Sequence, residues 1–145
     1  MSHNWEFAIS GIKYGRINLI CDDDGLLPNS LGRIVRLAEK HGVAALSSNT
    51  CGYHWSSLNT RDDSILSVPF TRGDRLVDAK EAIKRVLDWQ VHSLILPPLY
   101  TGGFISAALI DRIRRVKGAF LQSQIPDVYS GFAICSAIDR YIFYD

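Results

Sequence analysis

No apolar run in the chain approaches the roughly 18 residues that a membrane-spanning helix requires. The longest, Leu94 to Leu99, is short and interrupted by Pro97. Net charge is nearly absent, +1 over 145 residues, so no strong overall field directs the protein to nucleic acid or to an anionic membrane. The N-terminus lacks the basic-then-apolar layout of a secretory signal. Cysteine is scarce: Cys21, Cys51 and Cys135 are an odd number without CxxC spacing, which argues against a disulfide framework or a zinc site. They read as packing or buried thiols in a reducing, cytoplasmic setting. The four histidines show no HxxH or HExxH spacing. Internal repeats and low-complexity tracts are also missing.

What is present is the composition of a globular domain, 47% hydrophobic and 21% charged, with no internal boundary, so residues 1–145 read as one domain. Asn4 to Ile12 suits a short helix with Trp5, Ala8, Ile9 and Ile12 on one side, broken at Gly15. Arg16 to Cys21 reads as a buried strand. Pro28-Asn29-Ser30 suits the cap of a helix to His41, with Leu31, Ile34, Val35 and Ala38 inward and Gly42 closing it. Val43 to Leu46 returns as a strand, completing the order of a βαβ unit.

Farther along, Tyr53-His54-Trp55 and Ser64 to Phe70 read as short strands around a polar loop, Ser56 to Asp63. Asp74 to Val91 reads as a helix with Ala79, Ala82, Ile83, Val86 and Leu87 inward, and Trp89 as a packing residue. Pro97-Pro98 imposes an extended segment, and Thr101-Gly102-Gly103 a flexible turn. Ile105, Leu109, Ile113 and Val116 mark another helix. The last begins near Asp127 after Pro126, with Val128, Phe132, Cys135 and Ile138 inward. The sum is an α/β architecture, a mixed sheet flanked by helices.

The most informative feature is Asp22-Asp23-Asp24-Gly25 after the first strand. Open α/β sheets bind ligands beyond the carboxyl ends of their strands. Adjacent carboxylates favour a hard cation such as Mg²⁺ or Mn²⁺, which takes one or two carboxylates together with phosphate oxygens. Gly25 lets backbone approach a ligand closely. A solvated acidic turn at a helix start is the competing reading. So is the acidic strand end of a metal-dependent phosphatase or phosphotransfer domain, although that wants a lysine and a Ser or Thr at later strand ends.

Asn4-Trp5-Glu6, Gly15, and then Asp22-Asp23-Asp24-Gly25-Leu26-Leu27-Pro28 resemble the centre of a family 2 glycosyltransferase of the GT-A fold. Ile125-Pro126-Asp127-Val128-Tyr129-Ser130-Gly131 and Pro98-Leu99-Tyr100 resemble later segments of one bacterial subgroup, so the likeness runs from about Asn4 to Asp145. It implies a Rossmann-like GT-A sheet and transfer of a sugar from a nucleotide-diphosphate donor to a hydroxyl acceptor, in polysaccharide or glycoconjugate synthesis. It further implies Asp23 and Asp24 as ligands of Mn²⁺ or Mg²⁺, Asp22, Asp23 and Gly25 on the donor, and Asp127 as the general base. An N-cap aspartate is the plain alternative for Asp127.

The resemblance implies a strand-helix-strand-helix portion ahead of the acidic motif, cradling the nucleotide, for which the roughly twenty residues before Asp22 are too few. A partial GT-A domain is therefore expected, with an exposed sheet edge covered by a second copy or a partner chain. A non-catalytic remnant that binds a partner is the remaining alternative. Tyr53-His54-Trp55 suits either a half-buried strand or a sugar-stacking surface. Tyr100 with its glycine turn suits an acceptor-side loop or an ordinary connection. Arg112, Arg114, Arg115 and Lys117 form a small basic face, open to a phosphate, a lipid headgroup or plain solvent.

Overall fold

The computed structural model describes residues 2–55, 64–69 and 73–144. Five strands form a mixed sheet: β1 (Arg16–Ile17), β2 (Ala45–Ser48), β5 (Asp74–Asp78), β6 (Gly103–Ser106) and β7 (Arg140–Tyr144), in the order β1-β6-β2-β7-β5. Between β2 and β5, β3 (Gly52–His54) and β4 (Ile65–Ser67) pair as a separate antiparallel hairpin. The polar loop expected at Ser56 to Asp63 lies outside the described residues, as do Phe70 and Asp145. No helix of the described residues is long and apolar enough to cross a membrane.

The sheet carries two cores because its central strands alternate. Ala45, Ile105, Tyr141 and Phe143 face one side; Leu46, Phe104 and Ile142 face the other. The first side packs α1 (Ser2–Ser10), α3 (Ala79–Leu87), α4 (Ala107–Lys117) and α5 (Pro126–Cys135). The second packs α2 (Ser30–His41) through Ile34, Leu37 and Ala38. The expected mixed sheet flanked by helices is therefore present.

Helix α2 runs as expected from Ser30 to His41, and Gly42 stops it at φ 60°, where a side chain would be strained. Its inward face is not quite the expected one, since Leu31 and Val35 stay exposed. The anticipated βαβ unit takes a split form. Strands β1 and β2 are each antiparallel to β6, hence parallel to each other with β6 inserted between them.

Arg16 to Cys21 is not one buried strand: β1 ends at Ile17. The Asn18 amide then donates to the Gly103 carbonyl at 2.6 Å, and the chain leaves the ladder for a loop. Asp74 to Asp78 is strand, not the first turn of a helix, because it pairs along its whole length with β7. Asp78 then caps α3 by accepting from the Glu81 N–H at 2.9 Å. That helix ends at Leu87, so Val91 lies beyond it, and Leu87 is exposed. Trp89 is 94% exposed with φ 57° and packs into nothing.

Ile105 belongs to β6, not to a helix; Ser106 separates the two by capping α4. On α5, Cys135 is buried and Phe132 half-buried as expected, but Val128 is exposed and Ser130, Gly131 and Ile134 form the inner face. Of the thiols only Cys135 is buried, and burial pushes it up to about 12; Cys21 and Cys51 are exposed.

Two local constraints hold this frame. Glu6 accepts from Arg114 Nε at 2.6 Å and from the N–H groups of Phe120 and Leu121 at 3.2 and 3.0 Å, tying α1 to the end of α4. Burial alone would raise its carboxyl, but Arg114 and the two amides outweigh that and hold it below its ordinary 4.5. Gly102 and Gly103 do not make a flexible turn. A Cβ at Gly103 would lie 1.6 Å from the Pro98 carbonyl oxygen, and one at Gly102 (φ +88°) would lie 2.6 Å from that of Ser48.

Gly103→Ala is expected to destabilise the protein by about 3 kcal/mol through forced backbone displacement, whereas Gly25→Ala, with open space around it, stays within about 0.5 kcal/mol; urea unfolding measures both. Because the folded carboxyl of Glu6 is depressed, its contribution is complete above its unfolded value and disappears as pH falls through the lower folded one. Glu6→Gln should cost about 1–3 kcal/mol at neutral pH and flatten the acid limb of a stability-versus-pH curve.

Candidate functional site at the carboxyl end of the sheet

Strands β1, β2 and β7 run the same way, since β7 is parallel to β2. Their carboxyl ends therefore share one end of the sheet with the start of the antiparallel β6. The acidic loop leaves β1 there, Asn49 to Cys51 leaves β2, and Tyr100 to Gly102 leads into β6. These segments are bonded together: Ser48 N–H donates to the Gly102 carbonyl at 2.9 Å and Asn49 N–H to that of Tyr144 at 3.0 Å.

The three aspartates do not converge on one point. Asp24 turns back on its own loop. Its Oδ2 accepts from the Cys21 N–H at 2.9 Å and from the Thr101 hydroxyl at 3.1 Å. Asp22 and Asp23 are exposed and have no side-chain partner among the described residues. Ligand atoms of Asp23, Asp24 and Cys21 lie within 4.8 Å of one another, a group to which Asp22 does not belong. Nor does the acidic loop cap α2: the residue before that helix is Asn29, in a left-handed conformation with no side-chain cap, and its first turn contains no acid.

Two carboxylates this close match the oxygen donors that Mg²⁺ or Mn²⁺ takes when phosphate oxygens complete the shell. The Cys21 sulfur is a softer donor and already accepts from the Tyr100 hydroxyl at 2.9 Å. That bond to sulfur, with partial burial and the nearby Asp24 charge, pushes the Tyr100 phenol up to about 12. The ring itself stacks on Trp5, with centroids 5.4 Å apart. Tyr100 is thus a fixed wall of the acidic loop.

Asp127 is not an N-cap. Ile125 holds that position, Pro126 opens the helix, and Asp127 follows in the first turn, where a carboxylate is favoured by the helix dipole. Its carboxylate is unpartnered among the described residues. One turn on, the buried Ser130 hydroxyl donates to the Asp127 carbonyl and accepts from the Leu99 N–H, both at 2.9 Å. Gly131 lies so close to Leu96 that a Cβ would meet it at 3.0 Å. Residues 96–103 therefore form a strap that grips the first turn of α5 at Leu96 and Leu99 and the acidic loop at Tyr100 and Thr101.

Of the residues singled out in the sequence, Asp23 and Asp24 are brought together, and Asp127 is tied to the same strap. Gly25 has nothing within 4 Å of the position its Cβ would occupy. Cys21, Thr101, Ser130 and Asn18 carry the geometry without having been singled out for it; no spacing signal marks such partners across 77 or 85 residues. Tyr53 and Trp55 sit exposed on one face of the β3–β4 hairpin, edge to face at 4.7 Å. The basic face divides: Arg114 is committed to Glu6, while Arg112 and Arg115 remain exposed.

Models of known protein families and curated protein sequences yield no match to this chain.

The phenol analysis sets a direct test. Because the bond to sulfur is the main cause of the upward displacement, Cys21→Ala should return the Tyr100 ionisation from about 12 towards 10. Ultraviolet titration of wild type, Cys21→Ala and Tyr100→Phe resolves it; identical wild-type and Cys21→Ala curves would contradict the contact.

Proposed function

We propose that the protein takes part in transferring a sugar from a nucleotide-diphosphate donor to a hydroxyl acceptor, at the end of the sheet where β1, β2 and β7 finish. The observation that carries this reading is the strap of residues 96–103, which holds both the loop of Asp23 and Asp24 and the helix start bearing the unpartnered Asp127. An acid-rich cation seat and a free carboxylate, each tied to one segment, suit a displacement that needs a neutralised leaving group and a base.

In this reading Asp23 and Asp24 hold Mg²⁺ or Mn²⁺, with Asp22 and Gly25 beside the donor. The bound cation supplies Lewis-acid neutralisation of the departing nucleoside diphosphate. Asp127 takes the proton of the acceptor hydroxyl as its oxygen bonds to the anomeric carbon and the bond from that carbon to the diphosphate breaks. Tyr100 and Trp5 keep the acidic loop in place. The GT-A relationship stands as a proposal on the motifs Asp22 to Pro28 and Ile125 to Gly131, together with the mixed sheet. A second copy or a partner chain along β1 is part of the same proposal.

Melting with Mn²⁺ and a panel of nucleoside diphosphates tests it. At about a hundred-fold excess over Kd, a bound ligand adds about 2.7 kcal/mol to the unfolding free energy. Asp24→Asn keeps an acceptor for the Cys21 N–H while removing the charge, and should abolish the metal-dependent part of that gain. Asp127→Asn should leave binding intact and lower transfer roughly 100- to 10,000-fold. Flat melting curves across the panel would instead favour a non-catalytic binding module, and a response to beryllofluoride alone a phosphotransfer domain.

A further inference from the structure

The near-neutral total charge conceals a local segregation. Where the turn after α1 meets the outer face of α4, Ile12, Lys13, Ala108, Asp111, Arg112 and Arg115 line a shallow depression of about 430 Å³. Three of these residues are cationic and one is anionic. Asp111 is taken up by Arg115 at 2.6 Å, one helical turn away. Among the described residues the other two cations are anchored by main-chain carbonyls and meet no carboxylate, Lys13 by the carbonyl of Ser10 at 3.0 Å and Arg112 by that of Ala137.

Two large exposed side chains follow these cations directly in the chain. Tyr14, next to Lys13, is 89% exposed, and Val116, next to Arg115, is 75% exposed. Neither has a side-chain partner among the described residues. A soluble polyanion would be met by the cations alone and gains nothing from an unpacked Tyr14 or Val116. A bilayer surface uses both, because its headgroups are anionic and the boundary beneath them accepts aromatic and aliphatic groups.

We propose that this face is a peripheral docking surface for an anionic lipid bilayer. Lys13 and Arg112 sit at the headgroups, and Tyr14 and Val116 enter the interface. The surface is built by the α1 turn and α4, independently of the acidic loop, so it stands whether or not sugar transfer is demonstrated. Attachment of this kind is reversible and sensitive to salt, since each cation acts within a Debye length of the surface.

Co-sedimentation with vesicles tests the proposal. The protein is expected to sediment with phosphatidylcholine vesicles containing about one quarter phosphatidylglycerol at about 0.1 M salt, and to remain in solution with pure phosphatidylcholine. Lys13→Gln with Arg112→Gln should weaken partitioning about 25-fold, from about five-fold per cation. Tyr14→Ser with Val116→Ser, both exposed positions whose loss leaves the melting temperature unchanged, should weaken it as well with all charges in place. Failure to sediment with the anionic vesicles, equal sedimentation with neutral ones, or unchanged binding of either double variant would overturn it. Release by millimolar inorganic phosphate at constant ionic strength would also overturn it, assigning the depression to a free anion.

Discussion

The close approach of residues 96–103 to their neighbours is the constraint on which the candidate site depends. Leu96, Pro97, Pro98 and Leu99 are all buried, which is unusual for a connection; their N–H groups are accounted for, that of Leu96 by the Ser93 carbonyl at 3.0 Å. Proline has no N–H to place, and the Leu99 N–H is taken by Ser130. The segment then turns so tightly that two successive residues must lack a Cβ. Just before this turn the chain presents Tyr100 and Thr101 to the acidic loop. A shift of the strap by the width of a methyl group would move Thr101 from Asp24 and Ser130 from Leu99 together.

Electrostatics divide the aspartates and glutamates by task. Glu6 is spent on structure, with three donors around a half-buried carboxylate. Asp74 likewise is held below the usual carboxylate range by His41 at 2.8 Å and by Lys40 nearby. Asp78 caps a helix. Among the described residues Asp22, Asp23 and Asp127 have no side-chain partner, and Asp24 is only partly engaged.

The two faces of the sheet are covered unequally. Among the described residues four helices lie on one side, while α2 alone covers the other. Among the described residues strand β1 pairs on one side only, and a cleft of about 620 Å³ runs beside it, lined by Ile20, Leu26, Leu31, Val35 and Phe104. Ile20 and Leu26 flank the acidic loop directly, so whatever occupies the cleft also bears on the aspartates. This asymmetry explains why Leu31 and Val35 are apolar yet exposed. The face of α2 that carries them looks across the cleft instead of into the core.

Much of the architecture was legible from residue order. The pattern from Pro28 to Gly42 set both ends of α2, and the runs at Val43 to Leu46 and Tyr53 to Trp55 located strands within one or two residues. The acidic loop and Asp127 stood out by their motifs, three carboxylates before a glycine and one behind a proline, although such carboxylates also have structural uses at helix starts. Short apolar runs were decided only by tertiary pairing. Asp74 to Asp78 and Gly103 to Ser106 became strands because β7, β1 and β2 offered them hydrogen-bond partners. Strand β7 itself, with Tyr141 to Phe143 buried on both faces, has no alternation to announce it. The same holds for the site: local sequence determines where unpaired carboxylates stand along the chain. Which of them meet depends on contacts across 77 residues or more that only the folded strap creates.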